Sequence, residues 1–231
     1  WFGGIGTYVK SEDESHADVG DRVSDALRLN GRDLRCKVIG EGANLGITQL
    51  GRIEYALAGG RISADFIDNS AGVGSSDHEV NIKILFGEVM AADKITRPQR
   101  DKLLAQMTDE LAEHVLMDNY RQSMALTHCE VDPAGMLDEA IRFMRDLERA
   151  GKLDRQVEFL PDDETLAERR GAGIGLTRPE FAVLLAYAKM TLYDQVLDSE
   201  VPDDPFLAQD VGLYFPKPLR TKFGDFVPGH R

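Results

Sequence analysis

Two short apolar segments, each running straight into a loop of small and amide-bearing residues, constrain this chain more than any other feature. Lys37-Val38-Ile39 leads into GEGANLGITQ at 40–49, and Ala64-Asp65-Phe66-Ile67 leads into DNSAGVGSSDHE at 68–79. Open α/β sheets build nucleotide sites in this way, because ligands bind beyond the carboxyl ends of the strands, where loop amides and helix N-termini converge. The pattern predicts two strands; if they are parallel, both loops open on the same edge. Between them, Gln49 to Leu57 has the spacing of a short helix, and Gly59-Gly60 supply the positive φ angles that a helix C-terminus favours.

Upstream, Asp18 to Leu29 predicts a helix in which Val19, Val23, Ala26 and Leu27 share a face. From about Val80 onward the apolar residues fall at helical spacing, with Val80, Ile84, Leu85 and Val89 on one side. Thr96-Arg97-Pro98-Gln99 is a capping box with proline in the first turn, ahead of a stripe of Leu103, Leu104, Met107, Leu111 and Val115. Asp132-Pro133 opens a further helix carrying Leu137, Ile141, Met144 and Leu147 and ending near Gly151. Thr177-Arg178-Pro179-Glu180 repeats the capping box before FAVLLAYAKMTLYDQVL, the most apolar helix and the predicted centre of its bundle. Five prolines break residues 202–231 into short pieces. The expected fold class is α/β followed by mostly α: the C-terminal part of a Rossmann-like dinucleotide-binding domain over 1–90, then a helical extension over 91–231.

Composition excludes several functions. A formal net charge of -13 disfavours a nucleic-acid partner, which needs clustered Lys and Arg. No apolar run approaches the roughly 18 residues that span a bilayer, so no membrane partner is expected. Cys36 and Cys129 rule out a disulfide framework, show no metal-ligand spacing, and suit a reducing cytoplasm. His128 adjoins Cys129, but neighbours on a helix point about 100° apart, which makes a poor Cys-His pair. His16, His114 and His230 read as surface or core residues. The chain begins at Trp1, and WFGGIGTY resembles a strand-end loop more than a natural start. A piece of a longer polypeptide is expected, with the front half of the α/β domain upstream.

Asn44 and Asn69 stand in the same relation to their two strands. Amides both donate and accept, which suits a ribose hydroxyl or a nicotinamide carboxamide; the same residues equally serve to hold turns closed. Ser76-Asp77-His78-Glu79 fits a capping box with Ser76 as N-cap, and a helix N-terminus with a hydroxyl is also a carboxylate site. Asp68 and Asp77 flank that loop as acid-base candidates or as solvated carboxylates. Gly3-Gly4-Ile5-Gly6 and Gly171-Ala172-Gly173-Ile174-Gly175 lack the full phosphate-binding glycine turn.

WFGGIGTYVK, ADVGDR, KVIGEGANLGITQLGRIEYALAGGRI and DFIDNSAGVGSSDHEVNIK together resemble the large-subunit, NAD-specific glutamate dehydrogenases of bacteria. LTRPEFAVLLAYAKMTLYDQVL and YFPKPLR resemble the helical region that follows the dehydrogenase core in that family. The resemblance implies oxidative deamination of L-glutamate to 2-oxoglutarate and ammonia with hydride transfer to NAD. It implies nicotinamide-side contacts at Gly42 and Asn44, in Gly-Ala-Asn, and at Asn69, in Asn69-Ser70-Ala71-Gly72-Val73. It places a further cofactor contact at Gly4, where smaller glutamate dehydrogenases have small alanines, and the glutamate side-chain carboxylate at Ser76. The family's catalytic Lys and Asp and its phosphate-binding turn fall upstream, so no catalytic residue is assigned here and the isolated fragment is expected to be inactive. A homo-oligomer built with the remainder of its own polypeptide is expected. Two other readings remain: residues 91–231 as an assembly or regulatory module, and another amino-acid dehydrogenase, which turns on Ser76 because a branched-chain substrate offers it no side-chain carboxylate.

Overall fold

The computed structural model describes residues 1–230 and, at Ala208, the backbone alone. It divides into two compact units, each discontinuous in sequence: Trp1–Asn69 with Arg121–Lys189, and Ser70–Tyr120 with Met190–Arg231. The expected break near residue 90 corresponds to the turn between two helices inside the second unit.

In the first unit, β1 (Val9–Lys10) pairs in parallel with β2 (Leu29–Asn30). Three isolated parallel bridges extend the arrangement: Phe2 with Glu41, Val9 with Ile47, and Val38 with Arg61. The first expected strand is therefore present as a bridge, with Ile39 N–H donating to Arg61 O and Arg61 N–H to Lys37 O, both at 2.9 Å. The second lies a turn earlier than expected. Its pairing residue is Arg61, and Ala64 already caps a short helix over Asp65–Asp68. Asp65 causes the shift: its carboxylate accepts the N–H of Phe66 at 2.8 Å, a local bond that competes with a strand. The observed architecture is thus mostly helical with a small two-stranded parallel sheet.

The helix expected over 18–29 is also interrupted. α1 (His16–Val19) is capped by Ser15 and ends at Gly20, with φ +76, before a 3₁₀ turn over Arg22–Leu27. Asp18 is held in the cap by Ser15 N–H at 2.7 Å, and the buried Arg28 ties the segment to Thr7 O at 2.8 Å. Val23 and Leu27 are left 94% and 68% exposed, so the predicted shared face is not formed. α2 (Gln49–Leu57) runs as predicted, capped by Thr48, which accepts the Gly51 N–H at 3.0 Å. Gly59 takes φ +92; Gly60 is required for a different reason, since a Cβ there would lie 2.2 Å from the Tyr55 ring.

After α3 (Asp65–Asp68) come α4 (Ser70–Ala91), α5 (Arg97–Val131), α6 (Leu137–Arg149), α7 (Asp163–Gly171), α8 (Arg178–Leu197), α9 (Ala208–Tyr214) and α10 (Lys217–Phe223). At both predicted helix starts the N3 side chain accepts the threonine N–H, Thr96 N–H on Gln99 Oε1 at 2.9 Å and Thr177 N–H on Glu180 Oε2 at 2.6 Å. α6 starts at Leu137 and not at Asp132, whose carboxylate closes a turn on Gly135 N–H at 2.9 Å. On α4 the buried side is His78, Ile82, Leu85, Phe86 and Val89, while Val80 and Ile84 are exposed, a face rotated from the expected one.

Two cores support the first unit. Val9, Ile39, Ile47, Tyr55 and Ile62 pack around the parallel segments. Ala64 and Ile67 enter a larger cluster with Leu126 of α5, Leu137, Ile141, Met144 and Leu147 of α6, Leu166 of α7, and Phe181 to Leu184 of α8. α8 is central only along its first turns; Met190, Leu192 and Tyr193 are exposed. The second unit packs Ile82, Leu85 and Phe86 against Leu103, Met107, Phe215, Leu219 and Val227. Among the described residues no helix is long and apolar enough to cross a membrane.

Candidate functional site

The loop after Ile39 is stitched to the first residues of the chain. Phe2 N–H donates to Gly40 O at 2.9 Å, and Phe2 O accepts the N–H groups of Gly42 and Ala43 at 2.8 and 2.9 Å. A Cβ at Gly42 would come within 2.3 Å of the exposed Trp1 indole, which would have to shift to make room. The loop then delivers Asn44 to the surface and turns sharply at Leu45, a non-glycine residue with φ +59. Two bonds hold that strained residue: Leu45 N–H to Asp65 Oδ2 and Thr7 Oγ1 to Leu45 O, both at 2.7 Å. Asn69 closes α3, with its own N–H on Asp65 O at 2.7 Å.

These two loop ends meet. Asn69 Nδ2 donates to Asn44 Oδ1 at 2.9 Å. Asn44 Nδ2 and Asn69 Oδ1 remain without partners among the described residues, leaving one amide donor group and one carbonyl acceptor unengaged. That is the complement of a primary carboxamide, which offers one carbonyl and one NH₂.

Beneath the pair lies a buried charge network that the sequence reading did not find. Arg52 donates from Nε to Glu41 Oε2 at 2.7 Å and from Nη2 to Glu41 Oε1 at 2.9 Å, and Nη2 also lies 3.2 Å from Asp65 Oδ1. Glu41 is fully buried and Arg52 nearly so. Burial works against the guanidinium charge, but the Glu41 hydrogen bonds and the charges of Glu41 and Asp65 outweigh it and hold Arg52 above its ordinary pKa. Asp68 Oδ2 accepts Glu41 N–H at 2.9 Å, so this proposed acid-base group braces the loop; burial pushes its pKa up against that bond and the charge of Arg178. The missed signal was Arg52 itself, a cation among the buried positions of α2 beside Gly51, Ile53 and Tyr55.

Ser76 lies in the second unit, and it is not an N-cap. α4 begins at Ser70, almost continuous with α3, so Ser76 sits in its second turn, exposed, with Oγ donating to Val73 O at 2.9 Å. Ser75 is likewise internal, donating to Ala71 O at 2.7 Å. Asp77 accepts Tyr214 Oη at 2.6 Å, an intramolecular bond in place of a free carboxylate. Gly4 is exposed in the first unit with open space where a Cβ would stand. Burial, then Glu130, push the Cys129 thiol up, away from what a nucleophile needs. No group of three or more metal-ligating side chains occurs among the described residues.

Residues 1–129 match the family described as bacterial NAD-glutamate dehydrogenase, catalytic domain, and residues 173–231 match glutamate dehydrogenase, C-terminal. The chain belongs to the bacterial NAD-glutamate dehydrogenase family. It is 54% identical over 231 residues to the NAD-specific glutamate dehydrogenase of Pseudomonas aeruginosa and 51% identical over 231 residues to that of Halomonas elongata. Over 229 residues it is 46% identical to the enzyme of the same name from Mycobacterium tuberculosis. These alignments cover 99% or more of the chain, which spans 14% of the length of each curated relative. The glutamate dehydrogenase catalytic-domain match holds both asparagines, the Arg52 network and Ser76; the C-terminal match holds Arg178 and Glu180.

Proposed function

We propose that this chain is one segment of a larger cytoplasmic enzyme that oxidatively deaminates L-glutamate to 2-oxoglutarate and ammonia. In this reading it contributes the nicotinamide-side loops of a Rossmann-like domain, and helices that serve a homo-oligomeric assembly. The observation that carries the proposal is the Asn44–Asn69 pair, presenting one donor and one acceptor beyond parallel-bridged segments. Membership of the family and the relatives' shared name support glutamate as substrate and NAD as cofactor.

NAD, when bound, supplies the hydride acceptor. The chain's own residues bind and orient. Asn44 Nδ2 would donate to the carboxamide oxygen and Asn69 Oδ1 would accept from its NH₂, fixing which way the amide faces. Gly42 lets the backbone come close to its neighbours, and Gly4 lies in the exposed opening loop, open to a ligand. Ser76 would bind the side-chain carboxylate of glutamate by releasing its bond to Val73 O and turning its hydroxyl outward. Proton transfer belongs to groups outside these residues, so the segment alone has no dehydrogenase activity.

The test compares glutamate-dependent NAD reduction by the full-length enzyme and by this 231-residue segment. Activity in the former and none in the latter supports the proposal. Turnover by the segment alone, or a full-length enzyme indifferent to glutamate, overturns it.

A further inference from the structure

Neither asparagine is rigid by its own chemistry: Asn44 is exposed and precedes a strained residue, and Asn69 ends a four-residue helix. Something else must fix their 2.9 Å separation. Three residues before Asn44, the loop is anchored through Glu41; one residue after it, Leu45 N–H is anchored on Asp65, which also begins the helix ending at Asn69. Glu41 and Asp65 are both carboxylates, both buried, and would repel one another. One guanidinium stands between them, taking both oxygens of Glu41 at 2.7 and 2.9 Å and Asp65 Oδ1 at 3.2 Å. Its remaining nitrogen donates to Gln49 Oε1 at 3.3 Å, and Gln49 Nε2 donates to Pro179 O at 3.2 Å, which ties the fork to the start of α8.

We propose that Arg52 is a positioning residue for the cofactor: by bridging Glu41 and Asp65 it sets the spacing of Asn44 and Asn69 and so the affinity for the nicotinamide end of NAD. The inference rests on the cofactor reading above. The requirement is for the planar fork and not for positive charge alone. A lysine ammonium is a compact point charge that can pair with Glu41 or with Asp65 but does not reproduce a bidentate grip on one while holding the other. The loops would then separate although the positive charge is kept.

The experiment uses the full-length enzyme with Arg52→Lys as principal variant, Arg52→Met as second, and Asn44→Ala as reference. It measures KM for NAD, KM for glutamate, kcat and the thermal midpoint. Arg52→Lys is expected to raise KM for NAD by about 5- to 20-fold, with KM for glutamate changed less than about 2-fold and the enzyme still folded, while Asn44→Ala moves KM for NAD in the same direction. Arg52→Met leaves two buried carboxylates unpaired and has the larger effect where it folds; if it does not fold, Arg52→Lys alone decides. Unchanged KM for NAD in Arg52→Lys, with Asn44→Ala impaired, overturns the positioning role and leaves the cofactor reading standing. A lowered thermal midpoint with unchanged kinetic constants, or equal rises in both KM values, also overturns it, since a merely structural role does that. If neither Asn44→Ala nor Arg52→Lys moves KM for NAD, the cofactor reading falls and the positioning role with it.

Discussion

Asn69 donates through Nδ2 to Oδ1 of Asn44 at 2.9 Å, joining the ends of two loops that lie 25 residues apart in sequence. The bond fixes polarity as well as distance, because it leaves the Asn44 amide to donate and the Asn69 carbonyl to accept. Asn69→Ala removes the acceptor and frees Asn44 to turn. KM for NAD in the full-length enzyme is expected to rise about 3- to 10-fold, the worth of one ordinary hydrogen bond. Because the pair is exposed, stability should change by less than about 0.5 kcal/mol. Asn69→Asp tests polarity separately: it places a charged acceptor against Asn44 Oδ1, so Asn44 must flip, and the variant should bind NAD no better than Asn69→Ala. Steady-state kinetics with varied NAD reads both.

Ser76 is expected to act on glutamate and not on NAD. Ser76→Ala removes a hydroxyl that only a substrate with a side-chain carboxylate would use, so KM for glutamate should rise by about 10-fold or more, as for a lost hydrogen bond to a charged group. KM for NAD should stay unchanged. With leucine as competing substrate, the variant should lose its preference for glutamate without gaining rate on leucine. A normal KM for glutamate in Ser76→Ala would remove Ser76 from the substrate site.

A cut after residue 90 should not release a self-sufficient cofactor domain. Ala64 and Ile67, which introduce the helix carrying Asn69, are buried against Leu126, Leu137, Met144 and Phe181. Arg178, at the start of α8, adds a bond from Nε to Ser63 Oγ at 2.9 Å. The truncated chain would expose that apolar surface and leave Ser63 without this partner. Circular dichroism and NMR dispersion should report a disordered or aggregated product, whereas an assembly-module arrangement predicts a folded one. Within the intact chain, Ile67→Ala is expected to destabilise by about 2–5 kcal/mol, the usual range for a large-to-small change in a closed core.

This shared core explains where the sequence was legible and where it was not. Local rules placed what local chemistry decides: the Thr48-capped α2, the two Thr-Arg-Pro helix starts, and the stripe of Leu103, Met107 and Val115. The pattern left open whether the two loop-bearing segments run parallel; the Val38–Arg61 bridge makes them so. Position within a pattern was less secure, because Asp65 satisfies its own helix start and moves the second pairing back to Arg61, and because α3 runs into α4 before Ser76 is reached. Non-local polar partners left no periodic trace. Nothing in their spacing couples Glu41 and Arg52 until the fold brings them together, and nothing in the spacing of residues 121–189 announces that they complete the core around residues 64–67.

His78 gives the second unit an acid sensitivity of definite sign. Its ring is buried and stacks on Tyr214 with centroids 4.4 Å apart, and Nδ1 has no hydrogen-bond partner among the described residues. Burial first, and His114 second, push its pKa below the ordinary value near 6.5, with Asp77 and Asp118 opposing. The unfolded chain therefore takes up a proton at higher pH than the folded one. The contribution is fully present above about 6.5 and is lost as pH falls through the depressed folded value. His78→Phe keeps a ring against Tyr214 but cannot be protonated. Thermal midpoints of the chain at pH 7.5 and pH 5 should show a smaller acid-induced drop for His78→Phe than for wild type. An equal drop in both would mean that other groups set the acid response. His114→Gln adds a second check: removing the neighbouring imidazole relieves one cause of the depression, so wild-type acid sensitivity should weaken in that variant without disappearing, since burial remains the larger cause.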